Sequence, residues 1–213
     1  MGLLSRVEDT LTSAGLKITS QVHALSPDHM RYFGLMEVTN CQNNPDYNMV
    51  LGLRNSHDKK FPAGLVVGSG VFVCDNLAFS AEIRIDRKHT VFINRDLPQL
   101  VDAAIGRLGD VRRLQDQRIQ TYKETEFVDA QVHDIVVRAL DAKVVPVCRV
   151  PHVLKEWRSP RHPEFAQTGK TAWRLFNAFT ETIKGRSLDI LPRRTQALHG
   201  LLDVACGLTA KEN

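Results

Sequence analysis

Nowhere in this 213-residue chain does an apolar run reach the roughly 18 residues that a bilayer-crossing helix needs. Its opening Met-Gly-Leu-Leu-Ser-Arg has neither the basic start and long apolar stretch of a secretory signal nor the Ser or Thr at position six of a myristoylation site. The expectation is a cytoplasmic protein with no membrane partner. Cysteine is scarce: Cys41, Cys74, Cys148 and Cys206 are widely spaced and no C-x-x-C pair occurs. That argues against a zinc ribbon and fits reduced thiols. There is no internal repeat and no low-complexity tract. Neither H-E-x-x-H nor H-x-E with P-C-x-x-C appears, and no motif calls for a cofactor or a metal.

What is present is a chain 43% hydrophobic, enough to bury a full core, and most simply a single domain over residues 1–213. The net charge of +4 is modest but uneven. Between Arg149 and Arg194 stand ten Lys/Arg (149, 155, 158, 161, 170, 174, 184, 186, 193, 194) against four acids (156, 164, 181, 189), a local excess of six positive charges. Such a region favours phosphate backbones or acidic partners. The plain alternative is a solvated helical surface.

Leu3, Leu4, Val7 and Leu11 lie at helical spacing before Gly15, which predicts a short amphipathic helix closed by a glycine cap. Six strands are then predicted: 16–25, 30–39, 47–54, 64–74, 78–85 and 88–94. They are β-branched or aromatic in part and separated by turn signals such as Ser26-Pro27-Asp28. Connections this short cannot hold crossover helices, so the sheet should be mainly antiparallel. From Leu97 the period changes, and Leu100, Val101, Ala104, Ile105, Leu108, Val111, Leu114 and Ile119 predict one long helix to about Tyr122. Further helices are predicted over 126–140, 153–157, 171–184 and 192–206, with Gly185 and Gly207 closing the last two and residues 159–164 as a loop. The fold class is α+β: a short helix and an antiparallel sheet of about six strands in 1–95, covered by helices from 96–213.

Several groups of residues suggest chemistry. Gly169-Lys170-Thr171 opening a helix looks like the tail of a phosphate-binding loop, but the first glycine of that motif would fall at Glu164 and no buried strand precedes it. A helix cap at Thr168 or Thr171 is the simpler reading. Gly64, Gly68 and Gly70 could cradle a phosphate as a glycine-rich turn, but they are interleaved with valines, and glycines inside a strand mark a bulge or a close backbone crossing. His57, Asp58, Cys74, Asp75 and His89 are the residue types of metal sites and Cys-His catalysis, yet their spacing matches no known motif. His57, Asp58, Asp75 and His89 stand as weak catalytic candidates. The alternative for the Asn55–Asp58 and Asp75-Asn76 clusters is a turn whose side chains bond nearby backbone. Trp173, Leu175, Phe176, Phe179 and Ile183 make a helix apolar nearly all round, hence a core helix, in which Asn177 must find hydrogen-bond partners.

Arg54-Asn-Ser-His-Asp58, Val71-Phe-Val-Cys-Asp-Asn76, Arg87-Lys-His-Thr90, Glu156-Trp-Arg-Ser-Pro160 and Thr171-Ala-Trp-Arg-Leu-Phe-Asn-Ala-Phe-Thr-Glu181 occur in this order. Together they resemble the family of phage and plasmid proteins called domain of unknown function 932. The resemblance spans most of the chain. It implies a mobile-element setting and a related fold, but no reaction and no catalytic residue.

The functional expectation is a non-enzymatic accessory protein that binds single-stranded or duplex nucleic acid, in recombination, replication or defence evasion. Arg158, Arg161, Lys170, Arg193 and Arg194, expected in a loop and at helix starts, are the phosphate-contact candidates. Two alternatives stay open: a metal-dependent hydrolase or nuclease, and a protein that binds and inhibits a host factor.

Overall fold

A computed structural model describes residues 3–39, 46–71, 76–89, 93–184 and 190–208. Cys41, Cys74, Asp75 and Gly185 lie outside the described residues, as does the side chain of Asn76. The chain divides into two compact units, Met1–Gly70 with Ser80–Arg113, and Val71–Phe79 with Leu114–Asn213.

Helix α1 (Leu3–Ser13) is followed by a sheet of β1 (Lys17–Leu25), β2 (Arg31–Thr39), β3 (Tyr47–Ser56), β4 (Ala63–Val71) and β5 (Asn76–Arg87) and by α2 (Ile93–Gly106), all in the first unit except Val71 and the first four residues of β5. The sheet is an antiparallel meander in the order β1-β2-β3-β4-β5, as short connections require. Among the described residues there are five strands, and of the sixth predicted span, 88–94, residues 90–92 lie outside the described residues. The β-branched and aromatic run after Lys88 suggested a strand, but Ile93 already opens α2. Alternate residues of the strands (Met36 and Val38, Leu51 and Leu53, Ala63, Leu65 and Val67) form one core with Leu3, Val7 and Leu11 of α1 and Val101, Ala104 and Ile105 of α2. This pattern is the period of two meeting the period of 3.6. Asp102 of α2 accepts from Arg6 (2.8 Å) and Thr10 (2.9 Å), which fixes α1 on α2. Gly15, at φ 73°, ends α1, and the next amide, Leu16, bonds back to the Leu11 carbonyl. β1 is paired by β2 on one side and exposed along nearly its whole length, Val22 being 63% exposed.

The predicted long helix is two. α2 ends at Gly106 and α3 (Leu108–Glu124) begins two residues on, with the Arg107 amide bonded three residues back to Ala104. Gly106 and Gly109 flank the break, and glycine is the poorest ordinary helix former.

The second unit, from Leu114, is helical: the rest of α3, then α4 (Asp129–Asp141), a 3₁₀ turn at Val147–Arg149, α5 (Val150–Arg158), α6 (Pro163–Gln167), α7 (Ala172–Ile183) and α8 (Leu191–Ala205). The short α6 begins within the last two residues of the expected 159–164 loop, with Pro163 as its first residue, the position in a helix that needs no N–H. α7 is buried on almost every side, as its apolar circumference predicts. Thr171 caps it by accepting from the Arg174 amide, and Asn177 donates to the Trp173 carbonyl one turn back. Gly207, at φ 71°, follows α8, and Leu208 N bonds to the Asp203 carbonyl in the expected cap. Cys148 and Cys206 are free thiols. Among the described residues no helix is long and apolar enough to cross a membrane.

Candidate nucleic-acid interface

The His57–Asp58 step lies in the loop joining β3 to β4. His57 is exposed, and its amide donates to the Met30 carbonyl at 2.7 Å. Asp58 accepts from Arg31 Nε and from the Lys60 amide, both at 3.1 Å. Partial burial pushes the Asp58 carboxyl up, but the Lys60 N–H and the Arg31 guanidinium outweigh it and hold the group below its ordinary value. Beside it, Ser56 Oγ donates to the Phe61 carbonyl at 2.8 Å and accepts from the Phe61 amide at 3.3 Å. The cluster therefore holds the hairpin closed with its own side chains. His89 Nε2 is buried without a partner among the described residues, and Asp75 is outside them. Among the described residues no three His, Cys, Asp or Glu side chains gather as a metal site. Of the glycines in β4, Gly64 meets a close crossing: a Cβ there would sit 3.0 Å from both Arg54 Nε and Asp86 Oδ1, which form an ion pair over the strand.

The cationic candidates are in the second unit, and their surroundings differ. Arg158 ends α5 with an exposed side chain. Arg161, 74% exposed, reaches Glu181 at 3.5 Å, and its amide donates to Glu156 at 2.9 Å. Glu181 is also approached by His162 and Lys184, each at 4.0 Å. Lys170 Nζ sits 2.9 Å from Asp129 Oδ1, the same oxygen that accepts from the Trp157 indole N–H at 3.0 Å. Those two donors hold the Asp129 carboxyl below its ordinary value. Arg193 is exposed and Arg194 half-buried in the first turn of α8, and neither has a carboxylate partner among the described residues. Arg158, Arg161 and Lys170 thus lie about the α5–α7 pair, whereas among the described residues no ion pair or hydrogen bond joins Arg193 or Arg194 to that group.

Two features escaped the sequence. Arg174, among the aromatic residues of α7, is only 9% exposed and packs its guanidinium 5.6 Å from the Trp157 ring centroid. Its Nη2 donates to the Arg158 carbonyl at 3.0 Å, its Nε has no partner among the described residues, and burial lowers its pKa from the usual arginine value. A charge among aromatics in α7 was the available signal. The second feature is a buried polar network between α3 and α8. Arg118 grips Asp203 through Nε (3.0 Å) and Nη2 (3.0 Å), and the Tyr122 hydroxyl donates to Asp203 at 2.6 Å. Tyr122 also lies 3.3 Å from His199 Nδ1. Burial, then the Asp203 charge, raises the Tyr122 pKa well above its ordinary value, and burial, then Arg118, drives that of His199 well below. Tyr122 is fully enclosed and His199 4% exposed, so this network ties helices together and offers a macromolecule no approach. Arg118 standing in the apolar stripe of α3 was its only trace in the sequence.

Residues 8–200 match the family described as "Domain of unknown function (DUF932)", and the chain belongs to that family. Comparison with curated proteins and with solved structures gave no match.

Proposed function

We propose that this DUF932 member is a non-enzymatic nucleic-acid-binding accessory protein of a phage or other mobile element, working in the cytoplasm in recombination, replication or defence evasion. The observation that carries this reading is the surplus of cations over residues 149–194, with Arg158 and Arg193 exposed and facing no carboxylate among the described residues. Long cationic side chains at a helix end and a helix start can reach phosphates while leaving base edges unread, so contact is largely independent of sequence.

The test is a titration of a labelled single strand and of a duplex at several salt concentrations. Log affinity is expected to fall linearly with log salt, by about 0.7 to 0.9 per phosphate neutralised. No measurable binding to either at low salt would overturn the proposal and leave a host protein as the partner to seek.

A further inference from the structure

Charges nine-tenths buried are ordinarily matched by an opposite charge, because removing them from water is costly. Arg174 breaks that rule. One of the five N–H groups of its guanidinium is bonded, to a neutral backbone carbonyl, and the buried Nε has no partner among the described residues. No ion pair joins Arg174 to an acid among the described residues, and the acids of the surrounding elements have partners of their own: Glu156 the Arg161 amide, Glu181 Arg161, His162 and Lys184, and Asp129 Trp157 and Lys170. Arg174 also stands in the first turn of α7, where the helix field is positive and acids are the favoured residues, yet that turn holds no acid. Two of the first amides of α7 are taken, Ala172 N by the Thr125 carbonyl and Arg174 N by Thr171 Oγ1, so the helix adds field rather than donors.

We infer that Arg174 is the floor of an oxyanion site between the C-terminal end of α5 and the first turn of α7, taking a phosphate group, with the Arg158 side chain at its rim. A tetrahedral oxyanion suits the planar guanidinium fork better than a spherical halide does. It would neutralise Arg174 and the positive end of α7 together. Free phosphate and a phosphodiester of nucleic acid share this chemistry. The site stands on Arg174 and does not depend on the nucleic-acid reading, which supplies one of the two sources.

The experiment uses the full chain. Thermal unfolding is followed in chloride and in inorganic phosphate at matched ionic strength, for wild type and Arg174→Gln, and the arginine Nε–H resonances of ¹⁵N-labelled wild type are followed through the same phosphate titration. A saturable rise in Tm with phosphate in wild type, absent in the variant, with movement of the Arg174 Nε–H resonance, is expected. If Arg174→Gln does not fold, the wild-type resonance titration decides alone. Equal rises in both proteins, or an Arg174 resonance indifferent to phosphate, overturn the inference. A thymidine oligonucleotide added last separates the sources. If it shifts the same resonance and competes with phosphate, the site takes a backbone phosphodiester. If it does neither while phosphate still binds, the site serves free phosphate and the nucleic-acid reading fails here on its own.

Discussion

Ser56 shows what a polar residue at a strand end does when it is enclosed. Its hydroxyl both donates to and accepts from Phe61 across the β3–β4 loop, and Ser56 is 2% exposed. Ser56→Ala leaves the part-buried amide and carbonyl of Phe61 without that partner, and is expected to cost about 1 kcal/mol in urea unfolding. His199 makes the complementary case. Its folded pKa is lowered, so the unfolded chain takes up this proton more readily. Stability is therefore expected to fall as pH drops from the unfolded value near 6.5 towards the lower folded value, by up to about 1.4 kcal/mol per pH unit. His199→Gln should flatten that slope between pH 5 and 6.5, measured as urea midpoints. An unchanged slope would assign the acid sensitivity to other groups. The turn around Ser56 was legible in the sequence because Asn, Ser and Asp bracket a strand boundary. The His199 network was not, because its members, Arg118, Tyr122, His199 and Asp203, are distant in sequence and only the α3–α8 packing brings them together.

At the scale of elements, periodicity carried most of the fold. Strands with alternate burial, helices with a stripe and glycines at positive φ just past α1 and α8 were all legible, since each is a local consequence of backbone geometry. The failures fell where local signals conflict. Val91, Phe92 and Ile93 are strand formers, yet Ile93 is helical, and the apolar stripe of 100–119 runs through a break that two glycines make possible. Gly109 lies within α3, and a Cβ there would meet nothing within 4 Å. Gly109→Ala is expected to raise stability by about 0.4 to 1 kcal/mol, read as a higher denaturation midpoint. α7 is the opposite extreme, a helix held by packing. Phe176 is 1% exposed against Trp173 (ring centroids 5.4 Å apart), His199 (5.0 Å) and Tyr122 (5.9 Å). Phe176→Ala is expected to cost about 3 to 5 kcal/mol. A loss below about 1 kcal/mol would contradict the enclosed ring.

For the whole molecule, sequence counts charges and structure tells which are already committed. The regional excess of cations was plain, but Lys170 is joined to Asp129 and Arg161 to Glu181, pairings between residues 41 and 20 positions apart that no spacing rule reveals. Arg158 and Arg193 keep exposed side chains with no carboxylate partner among the described residues. Both Arg161 and Lys170 are more than half exposed, so solvent screening leaves their pairs weak and a phosphate can draw either cation away. Committed and uncommitted cations should then differ in degree. Arg158→Glu with Arg193→Glu is expected to flatten the dependence of log affinity on log salt by about 1.4 to 1.8, the loss of two phosphate contacts. Arg161→Glu with Lys170→Glu removes the same formal charge, but it also takes one cationic partner each from Glu181 and Asp129, so part of its effect is repulsion from carboxylates less fully neutralised. That pair should lower affinity while flattening the slope less. Fluorescence anisotropy titrations of one oligonucleotide across a salt series, on folded variants, measure both quantities. Identical slopes for the two double variants would show that the ion pairs do not restrain their cations, and that net regional charge alone governs binding.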